Sequence, residues 1–446
     1  MTPSRRIGFV STRFAGTDGV SLETAKWATV IERMDHECFY FCGLSDRPPE
    51  KSYIVPEAFY RHPTIDAINQ IVFAGSWGHM DEGRESHPEL EALHQDFFSV
   101  YIRPTRITRK IQELKEYFKE HLYQFAQKFS LEALIIENAV TIPVNVPLGV
   151  ALTEFIAETG YPVIAHHHDF YWERQRFMNN SVHDYLAAAF PPNLPSIRHV
   201  VINSIQANQL ASRLGIAAMV IPNVMDFNTI PLPPDEYALT ARADLGVAPG
   251  QYLILQPTRI IQRKGIEHAI ELTRRLGLPA ELVISHAAGD EGTDYEKRVR
   301  EFAALLDVKV NFESEIVGDI RGITPGGRKV YTLGDIYPQA DLVTYPSTIE
   351  GFGNAFLEAV YYHRPLVVNN YSIYESDIKP KGFQVVEFDG FISEETLEQA
   401  RHILTHPEEA RKQTEHNYEL ARRYYSFTML ERRLRLLLED CFGEMA

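Results

Sequence analysis

Short apolar runs alternate with helically spaced segments along this chain, and the alternation begins twice. Residues 7–11 read as a buried strand, Gly16-Thr17-Asp18-Gly19 as turn chemistry, and residues 21–34 as a helix through Leu22, Ala25, Trp27, Ala28 and Ile31. Strand character resumes over 37–42 and returns at 134–136, 163–165, 199–202 and 219–221, with a charged, mainly helical stretch over 80–130 in between. Within it, residues 105–129 carry Ile107, Ile111, Leu114, Tyr117 and Phe118. Residues 222–250 break the pattern: Pro222, Pro231, Pro233 and Pro234 cluster with few apolar neighbours, as in an inter-domain linker. The alternation then restarts, with strands over 252–256, 281–285, 308–312, 341–345 and 366–369, a helix over 266–276 and a last helix over 429–441. Residues 318–329, holding four glycines and a proline, read as a loop. Strands interleaved with helices predict an α/β chain of two Rossmann-like domains, each a parallel doubly wound sheet, facing across a central cleft.

Length and charge narrow the function. At 446 residues the chain exceeds what one core supports, and 45% hydrophobic content suffices for two cores without disulfides or a structural metal. Cys38, Cys42 and Cys441 are too few and too scattered for a disulfide framework or a tetrahedral zinc site. Lys plus Arg less Asp plus Glu is 44 − 60 = −16, which disfavours nucleic acid and anionic bilayers as partners. No apolar run is long enough to span a membrane, and Ile7 to Val10 is too short for a signal peptide, so a cytoplasmic location without stable membrane insertion is expected.

Three segments carry chemistry. In PSTIEGFGNAFLEAVYYHRPLVV, residues 346–368, a strand ends in a loop with Gly351 and Gly353, and a helix starts near Asn354 and stops at Pro365. Unpaired N–H groups and the positive dipole end at such a start suit a diphosphate or sugar hydroxyls. Glu350 precedes the turn, and Glu358, one helical turn in, is placed to accept paired ribose hydroxyls. Taken alone, the segment is equally a glycine turn flanked by solvated glutamates. QPTRIIQRKG, residues 256–265, sets Arg259 and Lys264 between a buried strand and a helix, as two cations for a leaving diphosphate or as a solvated basic turn. His166-His167-His168-Asp169 follows the strand at 163–165. Adjacent residues of an extended chain face opposite ways, so the three histidines do not converge on one metal, and none is expected here. His166 and His168 share a side. In the next residues, FYWERQRF, Tyr171 has a face for stacking on a sugar, and Arg174 suits an anionic acceptor.

With both donor-side segments in order, the chain resembles a GT-B-fold glycosyltransferase of the large retaining family 4, which includes sucrose-phosphate synthases, trehalose-forming synthases and bacterial mannosyl- and glucosyltransferases. The E-x7-E motif of that family stands here as Glu350 and Glu358, and its Arg and Lys pair as Arg259 and Lys264. VIPNVMDF and LGDIYPQADLVTYPS resemble the family's domain-opening segment and its last strand before the E-x7-E loop. The likeness is close from about 220 to 370 and only in outline before that.

The resemblance implies an acceptor-binding domain over 1–222 and a donor-binding domain over 223–424, with the helix at about 425–446 packing back on the first. It implies that Arg259 and Lys264 hold the diphosphate and Glu358 the ribose. Glu350, with the backbone of Gly351, Phe352, Gly353 and Asn354, would hold the transferring sugar. Gly19 would let the backbone approach the phosphates. Lys264, Arg259, Glu350 and His168, the last facing the donor sugar, are the expected catalytic residues, and His166, Asp169, Tyr171 and Arg174 the acceptor-side ones. The expected activity is retaining transfer of glucose or mannose from UDP-glucose or GDP-mannose to a small soluble acceptor: a sugar, sugar phosphate or glycerate derivative. The departing phosphate helps deprotonate that acceptor, and neither cofactor nor metal is obligatory. A lipid or polysaccharide acceptor, a non-catalytic sugar-nucleotide-binding subunit, and assembly as a homo-oligomer remain open. Base recognition is placed near Glu315 to Gly318.

Overall fold

The computed structural model describes residues 4–16, 18–73, 101–287 and 294–443, so Thr17 of the first turn and residues 80–100 of the charged stretch lie outside the described residues. The chain divides into two compact units, Met1–Pro222 with Leu430–Ala446, and Asn223–Met429.

In the first unit, strands β1 (Arg6–Val10), β2 (Glu37–Cys42), β3 (Ser52–Ile54), β4 (Ala133–Glu137), β5 (Val163–His167), β6 (Ile197–Val201) and β7 (Ala218–Val220) form one sheet. The order is β3-β2-β1-β4-β5-β6-β7 and every pairing is parallel. β4 and β5 are buried at all five positions, which is why residues 133–136 and 163–165 read as apolar runs rather than alternations. Helices Thr105–Lys128 and Val146–Thr159 pack on this sheet through Ile111, Phe118, Phe125, Leu152 and Phe155. Strand order reverses between β1 and β4, so the crevice at their carboxyl ends is where such a sheet takes ligands.

The second unit repeats the plan. β8 (Tyr252–Gln256), β9 (Ala280–Ile284), β10 (Val310–Phe312), β13 (Leu342–Tyr345), β14 (Leu366–Asn369) and β15 (Val386–Phe388) form a parallel sheet in the order β10-β9-β8-β13-β14-β15. Its core joins Ile254, Ile266, Ile270, Leu282, Leu342 and Val367. The switch point falls between β8 and β13, the two strands that lead into the basic and E-x7-E segments. Helix Phe427–Phe442 starts in this unit and belongs to the first from Leu430 onward. There Arg5 lies 4.4 Å from the Phe442 ring centre.

Two expectations are corrected. Residues 318–329 are not simply a loop: β11 (Gly322–Ile323) pairs antiparallel with β12 (Lys329–Val330), held by the Tyr237 hydroxyl, which donates to the carbonyls of Gly322 and Val330. Nor is the whole proline-rich stretch a linker. Ala238, Ala241, Leu245 and Val247 are buried in the second unit, in and on either side of the short helix Ala241–Asp244, because each apolar side chain there finds a face to cover.

Candidate active site

The second unit's site is built at the carboxyl ends of β8 and β13. After β8 the chain makes a single 3-10 turn, Gln262–Lys264, that ends in Gly265 at φ 58°. A Cβ at Gly265 would sit 2.5 Å from the Pro346 carbonyl oxygen, so only glycine lets this turn lie against the loop after β13. The contact delivers Lys264 to Glu350: its ammonium donates to Oε1, while Arg263 Nη1 donates to Oε2 at 3.0 Å. Both partners of the lysine pair are nearly buried, with side-chain exposures of 11% and 9%. Burial works to raise the Glu350 carboxyl, but Lys264 and then Arg263 outweigh it and hold the group below the usual carboxylate range. Burial pulls the Lys264 ammonium down, against the opposing charge of Glu350.

From Glu350 the loop enters helix Asn354–Tyr361 through Gly353 at φ 131°, where a Cβ would meet the Tyr371 hydroxyl at 2.6 Å. Tyr371 O–H donates to the Phe352 carbonyl at 2.8 Å, and the Phe352 ring packs edge-on against Tyr425. Phe352 therefore turns its side chain inward. Asn354 accepts at Oδ1 from Asn223 at 2.7 Å. Glu358 is half-buried and accepts at Oε2 from the buried Tyr337 hydroxyl at 2.7 Å. Arg259 is exposed, and no side chain pairs with it among the described residues.

Three residues here went unmarked in the sequence: Arg263, the second cation on Glu350; Tyr337, which fixes Glu358; and His286. The last follows β9, and its Nδ1 lies 2.7 Å from Ser285 Oγ. Burial, then Arg259, holds its imidazole below the ordinary value. A Ser-His pair directly after the apolar run Leu282-Val283-Ile284 is the signal that marks it.

In the first unit the histidine run splits as strand geometry requires. His167 faces one side, 2.5 Å from Thr141 Oγ1 and 2.9 Å from His199 Nδ1. His166 and His168 face the other and meet Glu137, the last residue of β4, at 2.9 and 2.8 Å. His166 is wholly buried, and its ring stacks on Trp27 at 4.1 Å. Beyond them Asp169 is paired with Arg174 at 2.6 Å, and Tyr171 is half-buried, edge-on to Trp172. Gly19 opens helix Gly19–Arg33, capped by Asp18, and a Cβ there would meet nothing of the chain within 4 Å. No helix among the described residues is long and apolar enough to cross a membrane.

The chain matches the family described as glycosyl transferases group 1 over residues 239–420. It is 31% identical over 402 residues to a mannosylglucosylglycerate synthase of Petrotoga mobilis, covering 85% of this chain and 86% of that one. It is 29% identical over 458 residues to a mannosylglucosylglycerate synthase of Thermotoga maritima, covering 96% and 98%. Among solved structures, the sucrose-phosphate synthase of Thermosynechococcus elongatus superposes with a TM-score of 0.63 at 13% identity, over 98% of this chain and 99% of that one. That likeness concerns the fold, which is GT-B: two Rossmann-like domains, here the seven-stranded and six-stranded sheets. Through the matched segment and the Petrotoga relative, the chain belongs to the group 1 glycosyl transferases and is a glycosyltransferase.

Proposed function

We propose that this enzyme moves a hexose, mannose ahead of glucose, from a nucleotide-diphosphate donor to a hydroxyl of a small soluble acceptor of glucosylglycerate type. Transfer retains the anomeric configuration, as in family 4, and needs no divalent cation on the diphosphate. The observation that carries the reading is the nearly buried Lys264–Glu350 pair, joined by the half-buried Arg263, beside the start of helix Asn354–Tyr361. Lys264, Arg263 and the exposed Arg259 outnumber the single carboxylate, so an excess of positive charge remains for a leaving diphosphate. Fixed cations and helix N–H groups stabilise charge as it develops, without reorganising at the moment of bond breaking. Glu350 orients Lys264 and, with the backbone of Gly351 to Asn354, takes the hydroxyls of the transferring sugar. Glu358, held by Tyr337, takes the ribose.

The second unit thus serves the donor and the first the acceptor, where Asp169, Tyr171 and Arg174 are the contacts assigned. The names of the two relatives combine mannosyl, glucosyl and glycerate parts in one product, which supports mannose as the moved sugar and a glucosylglycerate as its acceptor. A thermal-shift screen of GDP-mannose, UDP-glucose and ADP-glucose tests the donor. A donor at about 100 times its Kd stabilises by about 2.7 kcal/mol. GDP-mannose is expected to give the largest shift, and anomeric NMR of the product formed with glucosylglycerate to show retention. Lys264→Ala is expected to lower turnover by about a hundredfold or more. A loss under tenfold with donor saturation unchanged removes the diphosphate assignment.

A further inference from the structure

The first unit holds a buried polar cluster that includes His168, the histidine expected to face the donor sugar. Glu137 ends β4, and His166 and His168 lie two residues apart at the end of β5, beside it in the sheet. One carboxylate oxygen, Glu137 Oε2, receives both imidazoles: His168 Nε2 donates to it at 2.8 Å, and His166 Nδ1 lies 2.9 Å away. The His166 contact does not have the direction of a hydrogen bond. Both ring nitrogens of His166, and the other carboxylate oxygen, Glu137 Oε1, are buried without a hydrogen-bond partner.

A cluster held by hydrogen bonds alone would spread two imidazoles over two oxygens. Here they crowd one oxygen and leave its twin bare, in a site where each orphaned group costs about 1–3 kcal/mol. The neighbouring His167 shows the contrast, since Thr141 and His199 lie within hydrogen-bond distance of its two nitrogens.

We infer that Glu137, His166 and His168 are the protein ligands of one divalent first-row transition ion, of the zinc class. Their ligand atoms all lie within 4.8 Å of one another. Metal–nitrogen bonds of about 2.0–2.1 Å put tetrahedral ligand atoms about 3.3 Å apart, so the observed contacts need to open by only about half an ångström. Two imidazoles and one carboxylate select zinc or cobalt over magnesium, which takes oxygen ligands. The supports are in place: Trp27 stacks on the His166 ring, Asn138 Oδ1 accepts from the His168 amide at 2.8 Å, and Gln206 donates to the His168 carbonyl at 3.0 Å. The ion would tie β4 to β5 at their carboxyl ends and keep a position open for an oxygen ligand. It is distinct from a cation on the donor diphosphate, and it does not depend on which sugar is moved.

The test is metal content. The full chain is stripped with a chelator, loaded with Zn2+ or Co2+ alone and freed of excess. The inference expects one ion per chain and visible d–d bands of tetracoordinate Co2+. It also expects a rise in melting temperature on Zn2+ loading that Mg2+ does not reproduce. Glu137→Gln and His166→Gln should weaken the ion by more than the roughly 10–100-fold that loss of an outer-shell partner costs. If the loaded wild-type chain retains no ion and its melting temperature does not move, the site is a hydrogen-bonded cluster and the inference is overturned. Retention of the ion and bands by the folded Glu137→Gln/His166→Gln double variant overturns it equally. The wild-type measurements stand whether or not a variant folds.

Discussion

The two units bury charge at matching places, the carboxyl ends of central strands, but with opposite signs in excess. In the second unit two cations, Lys264 and Arg263, close on one carboxylate. In the first unit a carboxylate sits among groups that are neutral unless protonated, and among the described residues its ion-pair partners are His166 and His168. The first arrangement is permanently charged at neutral pH, so it suits a permanently charged ligand. The second varies its charge with proton or ion occupancy. Architecture alone therefore says little about what each site holds; the residue types at the strand ends decide it.

The largest effect that would break this comparison comes from removing the carboxylate of the second unit. Glu350→Ala leaves the Lys264 ammonium nearly buried with no counter-charge. Breaking such a pair from one side costs about 3–5 kcal/mol. Hydrogen exchange read on peptides of helix Asn354–Tyr361 and of the turn Gln262–Lys264 should show the loss, with peptides of β4 and β5 unchanged. Lys264→Met added to Glu350→Ala should restore much of the protection without restoring turnover. A single-variant loss below about 1 kcal/mol would show that the pair is solvated and the cluster not built for an anion.

The next effect separates the units by pH. Burial holds the His199 imidazole of the first unit down to about 4, from 6.5. The unfolded chain takes up its proton first as pH falls, so stability is full above 6.5 and is lost progressively down to about 4. The full shift is worth about 3 kcal/mol. The second unit sets two phenols at its site, the buried Tyr337 and the half-buried Tyr362. Burial, then Tyr361 and Glu358, pushes Tyr362 up to about 12, from 10, and burial puts Tyr337 well above its ordinary value. An unfolded phenol releases its proton from pH 10 upward while the folded one keeps it, so this stabilisation is lost as pH rises from 10 to 12. Hydrogen exchange should open β5 and β6 first on the acid side and the peptides around Tyr337 and Tyr362 first on the alkaline side. The reverse order in either limb would contradict the division.

Much of the second unit's site was legible because its parts are local. β8, β13 and β14 are buried throughout or nearly so, and their apolar runs gave their limits to within one residue. What escaped was short or distant. β3 and β15 span three residues each, too few for any period. Helix Pro407–Tyr424 is so polar that its buried Tyr418 and Ala421 do not stand out. Arg263 was hidden because its neighbours Arg259 and Lys264 already accounted for the turn, and only three-dimensional pairing shows it on Glu350. Glu137 is a lone acid closing an apolar strand, about 30 residues before its histidines, and only sheet register brings them together: Glu137 pairs with His166. The histidines were visible in sequence, but the residue that gives them a purpose was not.

The smallest expected effect tests how a buried hydroxyl acts through an acid. Tyr337 is wholly buried, stacks on Tyr362 at 5.3 Å and donates to Glu358 Oε2 at 2.7 Å. In Tyr337→Phe the ring packing persists and a single hydrogen bond to an ionised group is lost, at a cost of about 1–2 kcal/mol. Glu358 is half-buried, so water replaces part of that bond and the global fold should hold. The carboxylate, however, loses the partner that fixes its rotamer. If Glu358 takes the donor's ribose in ground and transition states alike, the variant should raise donor KM by about tenfold and leave kcat unchanged, the pattern of lost uniform binding. A fall in kcat at constant KM would place Glu358 on the reacting sugar instead, and join it to Glu350 in one task. A stability loss with neither constant moved would make the pair purely structural, and the donor site proposed for the second unit would then rest on Lys264, Arg263 and Glu350 alone.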